Sequence, residues 1–214
     1  MDATITLISV FAIFIPALML PGPDFVAVVR SSMTRGTKAG LQTTIGVSAG
    51  LGLYAMLSLL GLSTLLVEYQ WLTWTVRVLG GCYLIYLGMK LIRARPKADD
   101  FALTSDETTS KQRGNPVLFG FLVTMTNPKA IVLFASVFAT AVTAETPIWL
   151  MVLMIGLVIL SALVWYTIIS LFMYSAPVMK RFAHAQHWIE RVAGVCFIAI
   201  GGRILADVRN PVSP

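Results

Sequence analysis

Pro21-Gly22-Pro23-Asp24 interrupts an apolar run that extends from about Ile5 to Val29. Two prolines and a glycine cannot continue a regular helix, because backbone donors are missing and the rings clash with the preceding turn. Backbone groups released at membrane depth are costly unless protein or a water-filled cavity meets them. A carboxylate follows the break directly. At that depth its chemistry is to hold a cation, either a proton or a substrate's ammonium group. A plainer role is also open: Asp24 caps the half-helix that begins near Phe25, where an anion is favourable too.

A second interruption, Asn127-Pro128-Lys129, sets an ammonium after a proline in another apolar run. The substrate-binding candidates are therefore Asp24, Lys129 and the residues that shape the two breaks: Pro21, Gly22, Pro23, Asn127 and Pro128. Asp24 is also the proton-coupling candidate. A zwitterionic amino acid suits this pair, its ammonium at Asp24 and its carboxylate near Lys129 and half-helix N–H groups. Two other readings remain. A permanent Asp24–Lys129 ion pair would lock the breaks together, or Lys129 would snorkel to the interface.

The rest of the chain must carry these groups inside a membrane. Of its 214 residues 57% are hydrophobic and 12% are charged, with a mean hydropathy of +0.81. An ordinary soluble domain carries about 25% charged residues. The expected class is an all-α integral membrane bundle with no sizeable soluble domain. Met1-Asp2 supplies no basic leader, so the first apolar segment is expected to stay in the mature protein.

Six spans are expected, at about 5–29, 39–66, 72–92, 117–142, 148–174 and 189–206, the first and fourth broken. Their connections alternate in charge. Arg30, Arg35 and Lys38 mark the first; Arg93, Arg95, Lys97, Lys111 and Arg113 the third; Lys180 and Arg181 the fifth, which also holds His184 and His187. The second and fourth, around Glu68 and Glu145, hold no base. Basic loops stay in the cytoplasm, which puts both termini in the periplasm. The loops also account for the net charge of +6 without any nucleic-acid partner. Trp71, Trp74, Trp149 and Trp188 lie near span ends as interfacial anchors. Gly46, Ser48, Gly50 and Gly52 make span two a close-packing helix.

Residues 77–91 and 191–205 match in register: Arg77 with Arg191, Gly80 with Gly194, Cys82 with Cys196, Gly88 with Gly202. With the charge alternation, this makes 1–92 and 116–214 two inverted three-helix repeats joined by a polar cytoplasmic linker, 93–115. Interrupted helices in corresponding places of two such halves point to a transporter binding site. The breaks differ in depth, so the symmetry is approximate.

Other polar residues are more readily explained by packing: Tyr54, Tyr83, Tyr86, Trp165, Tyr166, Thr124, Thr126 and Ser136. Arg77, Arg191 and Arg203 suit snorkelling. No nucleophile, phosphate loop or nucleotide motif marks an enzyme or an ATP-driven pump, and no cofactor is implied. Two rival functions remain: a transmembrane thiol or electron carrier using Cys82 and Cys196, and a metal-ion exporter. The first lacks a CxxC pair, and the second would need several oxygen ligands where the spans offer one clear acid.

Leu20-Pro21-Gly22-Pro23-Asp24, the small-residue span two, Gly80-Gly81-Cys82-Tyr83-Leu84 with Leu87-Gly88, and Asn127-Pro128-Lys129-Ala130 together resemble the LysE/RhtB family of bacterial amino-acid exporters. The resemblance covers nearly the whole chain. Many members follow the lysine motif with proline-glutamine-phenylalanine, whereas Phe134-Ala135-Ser136-Val137-Phe138 here is similar to the threonine-exporter branch. The resemblance implies six helices, the bacterial inner membrane, and export of a small amino acid, threonine- or homoserine-like, by proton antiport. The implied partners are that amino acid, protons and lipid; self-association is left open.

Overall fold

A computed structural model describes residues 3–62, 70–93, 114–141, 146–172 and 176–207. Eight α-helices run through them: α1 Ala3–Met19, α2 Pro23–Arg35, α3 Thr37–Met56, α4 Gln70–Arg93, α5 Pro116–Met125, α6 Pro128–Ala141, α7 Ile148–Phe172 and α8 Ala176–Asp207. A π-helical stretch, Leu57–Leu62, continues α3. No strand occurs among the described residues, so the all-α class stands.

Prolines open the short helices. Pro23, Pro116 and Pro128 each start one, where a missing N–H costs nothing and the fixed φ is already helical. Asn115 caps α5 by accepting from the Val117 N–H at 2.9 Å. The two expected interruptions are real. α1 and α2 meet at a 45° bend, and α5 and α6 at 58°. Each bent pair is long and apolar enough to be one span, and α7 is so alone. α3, α4 and α8 have the length, at 20, 24 and 32 residues, but carry more polar and small residues.

The first basic connection is shorter than expected. Gly36 alone separates α2 from α3, with φ of +83°, a conformation open to glycine. Arg35 and Lys38 therefore sit exposed on helix ends, and Arg30 is exposed within α2. The fifth connection also differs: the backbone is helical from Ala176, so Lys180, Arg181, His184 and His187 lie on α8, and the expected span 189–206 is the C-terminal part of that helix. Most of the expected linker, 94–113, lies outside the described residues, as do Glu68 and Glu145.

Glycines set the helix pairs. α4 and α8 make the most extensive contact, crossing at Gly88–Gly194 and at Gly81–Gly201. Each glycine's missing Cβ would meet the other's backbone carbonyl, at 2.6 to 3.1 Å. Because 88 pairs with 194 and 81 with 201, the two helices are antiparallel. α3 is the other hub: Gly46 lies against the Val117 carbonyl of α5, Gly50 against Thr124, and Gly52 against Ile159 of α7. Its sequence reading as a close-packing helix holds.

Large apolar side chains point both ways. Phe14, Phe25, Phe134 and Phe197 are fully buried, while Ile8, Leu79, Val152, Leu160, Val192 and Val195 are exposed. So much exposed apolar surface fits a lipid solvent rather than water. Trp71, Trp74, Trp149 and Trp188 are exposed as well.

Candidate functional site

The two breaks meet. α2 packs against α5, and α1 against α6, so the interrupted backbones face each other at the centre of the bundle. Each proline leaves a carbonyl without its helical donor. Ala17 O would accept from residue 21, which is Pro21; Thr124 O would accept from residue 128, which is Pro128.

The two orphans are met differently. Thr124 O accepts from the Asn127 N–H at 3.0 Å, a tightened last turn. Ala17 O accepts from the Lys129 ammonium at 2.7 Å, and Leu20 O from the same nitrogen at 3.3 Å. Lys129 thus crosses from the start of α6 to the end of α1, where the helix dipole favours a cation. Its Nζ lies against the first break: a Cβ on Gly22 would be 3.7 Å from it.

Asp24 occupies the first turn of α2 and is only 6% exposed. Its Oδ1 accepts from the Thr124 hydroxyl at 2.9 Å and its Oδ2 from the Asn127 amide at 2.9 Å. The plain capping role does not hold, because Gly22 is the N-cap of α2 and no side chain caps it. The carboxylate is instead held by the second break. Asn127 works at both ends: its Nδ2 donates to Asp24, while its Oδ1 accepts from the Lys129 N–H at 3.1 Å and caps α6.

The permanent ion pair is not what the geometry shows. Asp24 and Lys129 have separate hydrogen-bond partners, Thr124 and Asn127 for the carboxylate and the Ala17 and Leu20 carbonyls for the ammonium. Snorkelling is excluded too, since Lys129 turns inward onto α1. Asp24, Asn127, Lys129 and Tyr166 all border one cavity of about 20 Å³. That is room for about one water molecule and no larger guest.

Of the residues expected at the site, Asp24, Asn127 and Lys129 come together. Pro21 and Pro128 act by withholding donors; Gly22 gives the lysine room; Pro23 and Pro128 are exposed. Four residues that the sequence assigns to packing belong here. Thr124 anchors the carboxylate, and Gly50 lets it approach, since a Cβ there would be 2.8 Å from that of Thr124. Tyr166 contributes a buried wall from α7. Tyr54 supports the second break by donating to Met125 O at 2.8 Å. A usable signal was present: Thr124 stands one helical turn before Pro128, so it occupies the last turn before the break. Thr126 bonds back to its own helix, Tyr83 and Tyr86 pair with each other on α4, and the side chains of Ser136 and Arg77 lie outside the described residues.

Cys82 is exposed on α4 and Cys196 half-buried on α8, both free thiols. Among the described residues, no three of His, Cys, Asp or Glu gather as a metal site.

The family model for the LysE type translocator matches residues 15–207. The threonine efflux protein of Salmonella typhimurium is 32% identical over 194 residues, which cover 90% of this chain and 94% of that protein. The threonine efflux protein of Escherichia coli K12 is 30% identical over 198 residues, covering 91% and 94%. An uncharacterized membrane protein of Haemophilus influenzae is 30% identical over 201 residues, covering 91% and 93%. No solved structure matches. The family match spans the broken helices and the charged crossing between them, and on that extent the chain belongs to the LysE-type translocators, a family of membrane transport proteins.

Proposed function

We propose that this protein exports a small amino acid, threonine- or homoserine-like, across the bacterial inner membrane in exchange for protons. One observation carries the reading: a buried carboxylate and a part-buried ammonium face one cavity where two broken helices cross. Intramembrane charges of both signs at unwound backbone suit a zwitterion. The names of two relatives, threonine efflux proteins, support the substrate class.

Asp24 is the group that exchanges a proton or meets the substrate's ammonium, and Lys129 is the partner of its carboxylate. Thr124 and Asn127 hold Asp24 in place. Pro21, Gly22, Pro23 and Pro128 shape the breaks. The two halves, 1–92 and 116–214, act as inverted repeats of three spans, with 93–115 a cytoplasmic linker and both termini periplasmic. The antiparallel crossing of α4 and α8 at paired glycines supports that symmetry. Alternating access then consists of opening this centre to one side at a time.

Everted membrane vesicles test the reading. Labelled threonine or homoserine is expected to accumulate when the lumen is acid, and to leak out when a protonophore collapses the gradient. Accumulation that ignores the gradient would remove the antiport; no uptake of any small amino acid would remove the export.

A further inference from the structure

We propose that the carbonyl oxygens of Ala17 and Leu20 form the ammonium subsite of the transported amino acid, and that Lys129 fills it as a tethered cation while the carrier is empty. The proposal rests on the export reading above and names the place within it that takes the substrate's amine.

The acceptor is built into the chain. Pro21 has no N–H, so Ala17 O lacks a helical donor in every state of the protein. Leu20 O lies just past the end of α1 and adds a second acceptor at the negative end of that helix. The pair receives the Lys129 ammonium at 2.7 and 3.3 Å. A lysine side chain and the amine of an amino acid end in the same group, a primary ammonium with three donors and no acceptor. Those two bonds use two of the three. Ala17, Asp24 and Lys129 border the same cavity, so an amine entering it arrives beside both the carbonyls and the carboxylate. At about 20 Å³ the space does not admit the guest while the lysine is in place.

The transport cycle gives this arrangement a use. An exporter must return without cargo. An empty subsite would then close over a carbonyl without a donor, which is costly in a dry interior. Lys129 supplies the missing donor and a nearby positive charge from its own flexible stem. When the substrate's amine takes the carbonyls, the displaced lysine is left close to the substrate's carboxylate. One residue thus seals the empty form and grips the loaded one.

The test uses purified full-length protein in lipid nanodiscs, titrated with n-propylammonium chloride, threonine amide and N-acetylthreonine. Lys129→Ala is expected to bind propylammonium about tenfold more tightly than the unaltered protein. It should also take threonine amide, which keeps the ammonium, and refuse N-acetylthreonine, which has lost it. Equal propylammonium affinity in the two proteins overturns the proposal. Pro21→Ala keeps the lysine and serves if Lys129→Ala does not fold. It returns an N–H to position 21, lets Ala17 O close an ordinary helical bond, and should weaken threonine amide binding about tenfold; unchanged affinity overturns the proposal as well. Vesicles that export threonine, with no propylammonium gain in Lys129→Ala, refute the subsite alone. A propylammonium gain in a protein that exports no amino acid refutes the export reading alone.

Discussion

A single amide ties the charged centre together. Asn127 donates to Asp24 with one end and caps α6 with the other, so turning it over would lose both contacts. This bears directly on Asp24→Asn. The new side chain can still accept from Thr124, but its own NH₂ would face that of Asn127. One of two bonds should survive, at a cost of about 1–3 kcal/mol. The variant is expected to reach the membrane and to lose proton-driven export of threonine in vesicles. Export that still follows the gradient would show that the carboxylate does not exchange the proton. Thr124→Val removes only the hydroxyl that holds Asp24 and keeps the volume. A hydrogen bond to a charged group contributes about 1.5–3 kcal/mol, so its export rate should fall about tenfold or more, with abundance little changed. Full activity would reduce Thr124 to a packing residue.

At the scale of helices, glycine decides which faces meet. Gly88 and Gly202 occupy equivalent places in the internal repeat, yet their surroundings differ. Gly88 lies against the Gly194 carbonyl, 2.6 Å from where its Cβ would be, while nothing comes within 4 Å of Gly202. The contrast makes a paired experiment. Gly88→Leu should force α4 and α8 apart and lower stability by about 1–3 kcal/mol, as overpacking does. Gly202→Ala should leave the melting temperature of detergent-purified protein unchanged or slightly raised, because it gains helix propensity without a clash. Equal losses at both positions would mean that the close crossing does not hold the pair together.

For the whole molecule, the helix directions and the basic ends make one prediction about sidedness. The proposed arrangement places Val67 and Glu145 outside and residues 97–113 inside. Reporter fusions after Val67 and after Glu145 are expected to behave as periplasmic, and fusions within 97–113 as cytoplasmic. A cytoplasmic reporter after Glu145 would break the six-span arrangement and the inverted repeat with it.

The apolar runs, the proline breaks and the glycine pattern determined by themselves that this is a helical membrane protein with two interrupted helices. Those features are local: a missing N–H or a missing Cβ acts wherever the residue is placed. The identities of Asp24, Lys129 and Asn127 as the charged centre were legible for the same reason, since each stands beside a break. What each of them touches was not. Whether Asp24 caps its own helix, pairs with Lys129 or is held by Thr124 depends on how α2 and α5 cross, and the sequence separation of about a hundred residues carries no record of that. The role of Lys129 was decided in the same way. Its ammonium reaches Ala17 O only because the fold lays the start of α6 across the end of α1, where Pro21 has left a carbonyl without a partner.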